Sequence, residues 1–289
     1  MKIQAYKLNS FAKSIEGGNP AGIVLNADTL SENDMKKIAG ILGFSETAFV
    51  MKSGLADFKV RFFTPNDEVD LCGHATIGTY SAMSVLGYIK PGNYSQETKA
   101  GILNVEVKDD LSIMMNQNLP SFYETLSKDE IADSLNITKA EILGDLPIQI
   151  VSTGLKDIII PIKNIDILNY INPDFKKIEA ISQKYNVVGY HVFTLESLNT
   201  SKAHCRNFAP LYGIPEESAT GTSNGALACY LLKYGKITCD EAESIVFEQG
   251  YSMKKPSEII ASLSIRDGKI IEVKVGGKAL NLSEIEVDL

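Results

Sequence analysis

The chain has 289 residues, 44% of them hydrophobic, and a formal net charge of −8 from 28 basic and 36 acidic side chains. That length exceeds one ordinary domain and suits two lobes with a sizeable core, while an acidic balance without a basic block excludes nucleic acid and anionic membrane as expected partners. The start, MKIQAYKLNSF, alternates rather than reading as a secretory leader, and no apolar run reaches the roughly 18 residues a spanning helix needs, so the expected location is cytoplasmic.

IQAYKLNSF reads as a weakly alternating strand, and GGNPAGIVL as a Gly/Pro turn followed by an apolar one. Ser31, the acids after it, and Met35, Ile38, Ala39 and Leu42 at helical spacing predict a helix ended by Gly43. FSETAFVMK and FKVRFFTP are strands, the second stopping before Pro65. EVDLC is short and strand-like, and HATIGTYSAMSVLGY predicts a largely apolar, hence buried, helix capped at Gly87. TKAGILNVEV and DLSIMMNQ read as hairpin strands, and a polar stretch with a helical segment, SKDEIADSLNI, follows them.

These elements set residues 1–118 as an N-terminal lobe, open to the final C-terminal strand, and residues 119–289 as a second lobe. In the second, IQIVSTG and DIIIPIK are strands, DFKKIEAISQKY a helix, and NVVGYHVFTL and KAHCRNFAP strands. TSNGALACYLLKYG predicts another buried helix, and IVFEQG, IIASLSIRDG and IIEVKVGGKA close the chain as strands. The halves match in plan, not in letters: each has a surface helix, several strands, and a Gly-rich junction opening an apolar helix. Hairpin turns without regular helix alternation argue against a doubly wound parallel sheet. A pseudo-repeat with a cleft between its lobes is expected.

The junctions carry the chemistry. A helix start leaves its first N–H groups unpaired in a positive field, which holds a carboxylate or phosphate without Arg or Lys. Gly73 and Gly78 at one junction, and Gly221 and Gly225 at the other, keep the backbone approachable or merely serve turns and close packing. No dinucleotide or P-loop motif is present. His74, one of three histidines, sits in the first junction and can pass protons near neutral pH, or be a satisfied core group. His191 and His204 lie in strands and read as core; with no HExxH, they make a poor metal case. Glu46 stands just before the apolar run of FSETAFV; enclosed in an apolar cleft, its carboxyl would titrate high and could take and return a proton, whereas at a strand edge it would be an ordinary surface acid. Cys72, Cys205, Cys229 and Cys239 are scattered without CxxC spacing, as in reduced thiols, and only Cys72 has a suggestive place. Arg61 and Arg206 could assist a carboxylate or serve salt bridges.

GGNPAGIVL, SETAFV, VRFFTPNDEVDLCGHATIGT, TKAGILNVEV and ATGTSNGALACYL, in this order over nearly the whole chain, resemble the phenazine-biosynthesis PhzF-like family of the diaminopimelate-epimerase-like superfamily. The resemblance implies an α+β fold of two similar lobes, each a curved, mostly antiparallel sheet around a central apolar helix. It implies a homodimer, no cofactor, no metal, and isomerisation by proton shuttling. The family Glu falls on Glu46 and the family His on His74. Where the family reads EDPATGS, this chain reads EESATGT, so the family Asp falls on Glu217, the Pro on Ser218 and the final Ser on Thr222. Glu217 reaches about one methylene further, and a misplacement near 1 Å can cost ~100-fold in rate. Glu46, His74 and Glu217 are thus the expected catalytic residues, and Asn19, Cys72, Gly73, Thr220, Gly221 and Thr222 the expected substrate contacts. The superfamily's racemases use two cysteines; Cys72 matches the first position, but Thr220 occupies the second, and a hydroxyl is a far weaker acid than a thiol. Three readings follow: an isomerase without a cofactor, acting on a small carboxylate-bearing metabolite; a Cys72-assisted epimerase or racemase of an amino or hydroxy acid; and a non-catalytic metabolite-binding or scaffold homodimer.

Overall fold

The computed structural model describes residues 1–289, and its contacts divide the chain into two units: Met1–Asn116 with Gly276–Leu289, and Gln117–Val275. The first unit contains strands β1 (Lys2–Ser10), β2 (Asn19–Val24), β3 (Thr47–Met51), β4 (Phe58–Phe63), β5 (Glu68–Val69), β6 (Gly92–Thr98), β7 (Gly101–Val107) and β8 (Ile113–Gln117), with helices α1 (Glu32–Leu42) and α2 (Gly73–Val85). β1 pairs antiparallel with β2, and on its other side with the chain's last strand, β18 (Ala279–Asp288). β2 and β3 are parallel, a pairing that needs a crossover, and α1 supplies it. β4 is antiparallel to β3 and parallel to β6, and the hairpin of β6 and β7 continues antiparallel into β8.

Helix α1 starts in a capping box of Ser31 with Asp34 and ends at Gly43, whose φ of 67° favours a residue without a Cβ. Its buried stripe, Met35, Ile38 and Ala39, packs with Phe49 and Phe63 on one side of the sheet. Helix α2 is buried from His74 to Met83, so almost no position needs a polar side chain for solvent.

The second unit contains β9 (Ser121–Thr125), β10 (Gln149–Ser152), β11 (Lys156–Pro161), β12 (Gly189–Thr194), β13 (Ala203–Ala209), β14 (Ile214–Glu217), β15 (Ile245–Gln249), β16 (Ser257–Arg266) and β17 (Lys269–Gly277). Its helices are α3 (Lys128–Ser134), α4 (Ile165–Tyr170), α5 (Phe175–Tyr185) and α6 (Gly221–Lys233). Because side chains alternate along a strand, Ile158 and Ile160 of β11 and Tyr190 and Val192 of β12 join Ile131, Leu168 and Ile178 of the outer helices in one core cluster. The intervening Asp157 and His191 point to the other face, where α6 lies buried from Ser223 to Leu231.

The expected repeat is visible in the pairings. From β1–β2 to β6–β7 they run antiparallel, parallel, antiparallel, parallel, antiparallel. From β10–β11 to β15–β16 they run the same way. A short strand, β5 or β14, precedes the buried helix in each. The fold is thus the expected α+β plan of two similar, mostly antiparallel units. Some details differ. EVDLC narrows to Glu68–Val69; α2 caps at Leu86, one residue before Gly87; and β6, β9, β14, α4 and β18, which follows the IIEVKVGGKA strand, were not anticipated.

Candidate active site

At the first junction the chain leaves β5 and enters α2 through Cys72, an extended N-cap (φ −138°, ψ 117°) whose side chain makes no capping hydrogen bond. The first N–H groups of α2 therefore lack the partner that Ser or Asp would supply there. A Cβ on Gly73 would meet only Met115 Sδ at 3.8 Å, whereas one on Gly78 would press on Ser10 Oγ at 3.1 Å. Gly73 leaves the helix start open; Gly78 serves close packing.

Three side chains converge beside this start. Glu46, one residue before β3, has an Oε2 atom 3.2 Å from His74 Nε2. The alignment is not that of a hydrogen bond, and Oε2 accepts none from other protein groups. Cys72 Sγ lies 3.5 Å from His74 Nδ1, and Ser45 Oγ lies 3.4 Å from Nε2. Burial pushes the His74 imidazole below its ordinary pKa, against the upward pull of the Glu46 carboxylate, so the ring is neutral near pH 7. A neutral ring has one N–H. With that proton on Nε2 it faces the carboxylate, and Nδ1 is left to accept from the thiol. The backbone is pinned too: Ser10 Oγ donates to the His74 carbonyl at 2.6 Å, and Ser10 stands opposite Asn19 in the β1–β2 register. Ligand atoms of Glu46, Cys72 and His74 all lie within 4.8 Å of one another, which also meets the three-ligand count of a catalytic zinc site.

At the second junction β14 leads through Glu217 to Thr220, again an extended N-cap (φ −128°, ψ 99°) without a side-chain capping bond. Thr220 Oγ1 instead donates to Glu217 Oε2 at 2.8 Å. Gln249 Nε2 donates to the Glu217 carbonyl and to Thr220 Oγ1, and Gln249 Oε1 accepts from Thr220 N–H and from Asn224 Nδ2. Thr153 Oγ1 donates to the Thr222 carbonyl. A Cβ on Gly225 would come within 3.2 Å of Thr153 Oγ1, so this glycine also serves packing.

The structure thus brings Glu46, Cys72, Gly73 and His74 together, and, in the other unit, Glu217, Thr220, Gly221 and Thr222. Ser45, Ser10 and Gln249, which support these groups, were not anticipated; a lone Ser or a Gln at a strand end carries no motif. Arg61 is engaged by Glu68 and Glu32, and Arg206 by Glu216, in the salt-bridge role. His204 is buried against Glu248, the core role. None of the four cysteines forms a disulfide.

Comparison with known proteins gives a consistent result. A sequence profile described as "Phenazine biosynthesis-like protein" matches residues 8–284. An uncharacterized isomerase of Clostridium acetobutylicum is 36% identical over 299 aligned residues, covering 100% of this chain and 99% of that protein. The crystal structure of the Bacillus anthracis phenazine biosynthesis protein of the PhzF family superposes with a TM-score of 0.91 at 32% identity, with 100% of both chains covered. The trans-2,3-dihydro-3-hydroxyanthranilate isomerase of Pseudomonas chlororaphis is 27% identical over 94% of this chain and 95% of its own.

Proposed function

The chain belongs to the phenazine biosynthesis-like family, and from that premise we propose how its residues divide the work of an acid/base isomerase acting on a small carboxylate-bearing metabolite. The observation that carries the assignment is the Glu46 oxygen, within 3.2 Å of a buried His74 and accepting no hydrogen bond. Glu46 takes a proton from an activated carbon of the substrate and returns it elsewhere on the same molecule. His74, its Nε2–H toward Glu46, can pass that proton to the carboxylate while Nδ1 takes one from Cys72. Glu217, the expected catalytic residue of the second unit, accepts from Thr220 and positions the substrate or relays the proton. Substrate binding is assigned to Asn19, Cys72 and Gly73 in one unit and to Thr220, Gly221 and Thr222 in the other, where uncapped helix starts offer N–H groups to an anion.

A second reading has one observation in its favour. Cys72 Sγ, 3.5 Å from His74 Nδ1, is placed to lose its proton to the ring, as a one-thiol epimerase would require. A two-thiol mechanism is not supported, since the matching hydroxyl of Thr220 donates to Glu217. We also propose a cytoplasmic homodimer. The resemblance supports the dimer and the four free thiols the location; light scattering after size exclusion tests the dimer.

The test of function is proton NMR in deuterium oxide, with and without EDTA, against cyclic and linear amino, hydroxy and unsaturated acids, headed by trans-2,3-dihydro-3-hydroxyanthranilate. Loss of a substrate C–H signal that requires Glu46 but neither Cys72 nor a metal supports the shuttle. Loss that requires Cys72 moves the assignment to the epimerase, and loss abolished by EDTA moves it to metal chemistry. Full turnover by Glu46→Gln would overturn the role of Glu46.

A further inference from the structure

Behind the second junction lies a buried polar chain that the isomerase chemistry does not use. Ser223, in the first turn of α6, donates its hydroxyl to Asp157 Oδ2 on β11 at 2.5 Å. Asn207 Nδ2 on β13 donates to Ser223 Oγ and to His191 Nδ1 on β12, each at 3.2 Å. All four side chains are buried: Asp157 and Asn207 are 2% exposed, Ser223 1% and His191 0%.

The donor directions are forced. The two N–H bonds of one amide nitrogen serve Ser223 and His191, so Ser223 can give its own hydrogen only to Asp157, and His191 must be neutral with its proton on Nε2. Burial agrees with that state, pushing His191 down to about 4. Asp157 then has to be the acceptor at the end of the chain. A proton on Oδ2 would meet the hydrogen of Ser223, and one on the unpartnered Oδ1 would leave Oδ2 a neutral carbonyl, a weaker acceptor for Ser223 than the carboxylate. Both sides of the junction attach to this chain. Asn207 stands opposite Glu217 in the β13–β14 register, and Ser223 follows Gly221 and Thr222 directly.

We propose that Asp157 is a positioning residue: as a carboxylate it holds Ser223, and through it the helix start at Gly221–Thr222 and the Glu217–Thr220 pair, and on protonation it lets them loosen. This rests on the assignment of the second junction to substrate binding. Burial drives the Asp157 carboxyl up to about 6, against the Ser223 hydroxyl and the Gly189 N–H that pull it down, so the change falls just below neutral pH. The groups facing Asp157 are Ser223 from α6 and the Gly189 N–H from β12; the titratable side chain of the network is His191, reached through Asn207.

The sign separates positioning from mere support of the fold. A carboxyl whose pKa is raised on folding binds its proton more tightly in the native state, so between about 6 and the reference Asp value of about 3.9 acid adds to global stability through this group. Positioning predicts the opposite local response. The experiment is amide hydrogen–deuterium exchange on the full chain, read by mass spectrometry for peptides covering residues 217–225 and corrected for intrinsic rates. Wild-type exchange there is expected to speed up about tenfold or more between pH 7 and pH 5 while the strands of the second unit keep their protection. Asp157→Asn and Ser223→Ala are expected to show the faster rate already at pH 7, and Asp157→Asn no further change at pH 5. An unchanged wild-type rate in these peptides, or loosening spread evenly over the unit, overturns the proposal, and this measurement stands even if a variant fails to fold. It uses no substrate, so it fails or succeeds independently of the Glu46 assay.

Discussion

The starts of α2 and α6 share a backbone. Each helix runs 13 residues from an extended N-cap without a side-chain capping bond, and each carries a glycine one turn on that packs against the sheet. Their surroundings differ. At α2 a carboxylate, an imidazole and a thiol lie within 4.8 Å of one another. At α6 the nearby acid, Glu217, accepts from Thr220, and Gln249, Asn224 and Asn207 bind the rest through amides that neither gain nor lose protons near neutral pH. The repeat keeps what an anion needs at both starts. On the proposed division of work, the groups placed to move the proton gather at the first start, and the groups lining the second are held in a hydrogen-bonded frame that positions the substrate.

Equivalent substitutions on the two sides test that division most severely. Glu46→Gln keeps shape and removes the base, and is expected to lower kcat about 10²–10⁴-fold in the deuterium assay. Glu217→Gln keeps an acceptor for Thr220, and is expected to cost about tenfold, the weakening of one charged hydrogen bond. Equal losses at the two positions would end the distinction.

The second largest effect is on stability against pH. His191 is held neutral with a pKa near 4, so the unfolded chain binds more protons below about 6.5, and stability falls as pH drops from there toward 4. At pH 5 this amounts to about 2 kcal/mol relative to pH 7. Asp157 acts in the opposite sense over the same range by about 1 kcal/mol. His74 has the His191 sign. Urea unfolding at pH 7 and pH 5 should therefore show a steeper acid loss for Asp157→Asn than for wild type. An equal loss would mean that Asp157 is ionised at both pH values.

How much of this was legible in the sequence follows from the range of the forces involved. The helix at Ser31 could be read because its cap, stripe and stop are all local. Glu46 and His74 could be read from their segments, but not their contact with each other. That contact depends on the parallel register of β2 and β3 and on the Ser10 bond that seats the start of α2. β9 was missed because SFYET is mostly exposed and lacks an apolar face, and β6 because NYSQET is polar apart from its tyrosine. Asp157 opens DIIIP, a segment that reads as plain buried strand; only the pleat, which sends it to the α6 face, and Ser223 from 66 positions away give it a role.

Cys72→Ala sharpens the comparison from the first side. Loss of a group that itself transfers the proton costs about 10²–10⁴-fold, so a fall of less than about tenfold places the thiol behind His74 as a reserve of protons. A fall of a thousandfold, with loss of substrate deuterium exchange, would make the thiol a principal acid.

The smallest expected effect concerns Thr222, where the family pattern has Ser. If the second junction binds through backbone N–H groups, Thr222→Ser leaves the N–H in place, keeps a hydroxyl, and removes only a methyl. The Thr153 bond to the carbonyl of residue 222 is also kept, so the backbone has no reason to move. KM should then stay within about threefold of wild type, as for substitutions that disturb no packing, cap or buried polar group. A tenfold fall in KM would mean that the methyl crowds the substrate. A tenfold rise would mean that the hydroxyl rotamer, which β-branching fixes, contacts the substrate directly. Either result would shift recognition at α6 from the backbone to side chains, and the two helix starts would then differ in how they bind as well as in what they carry.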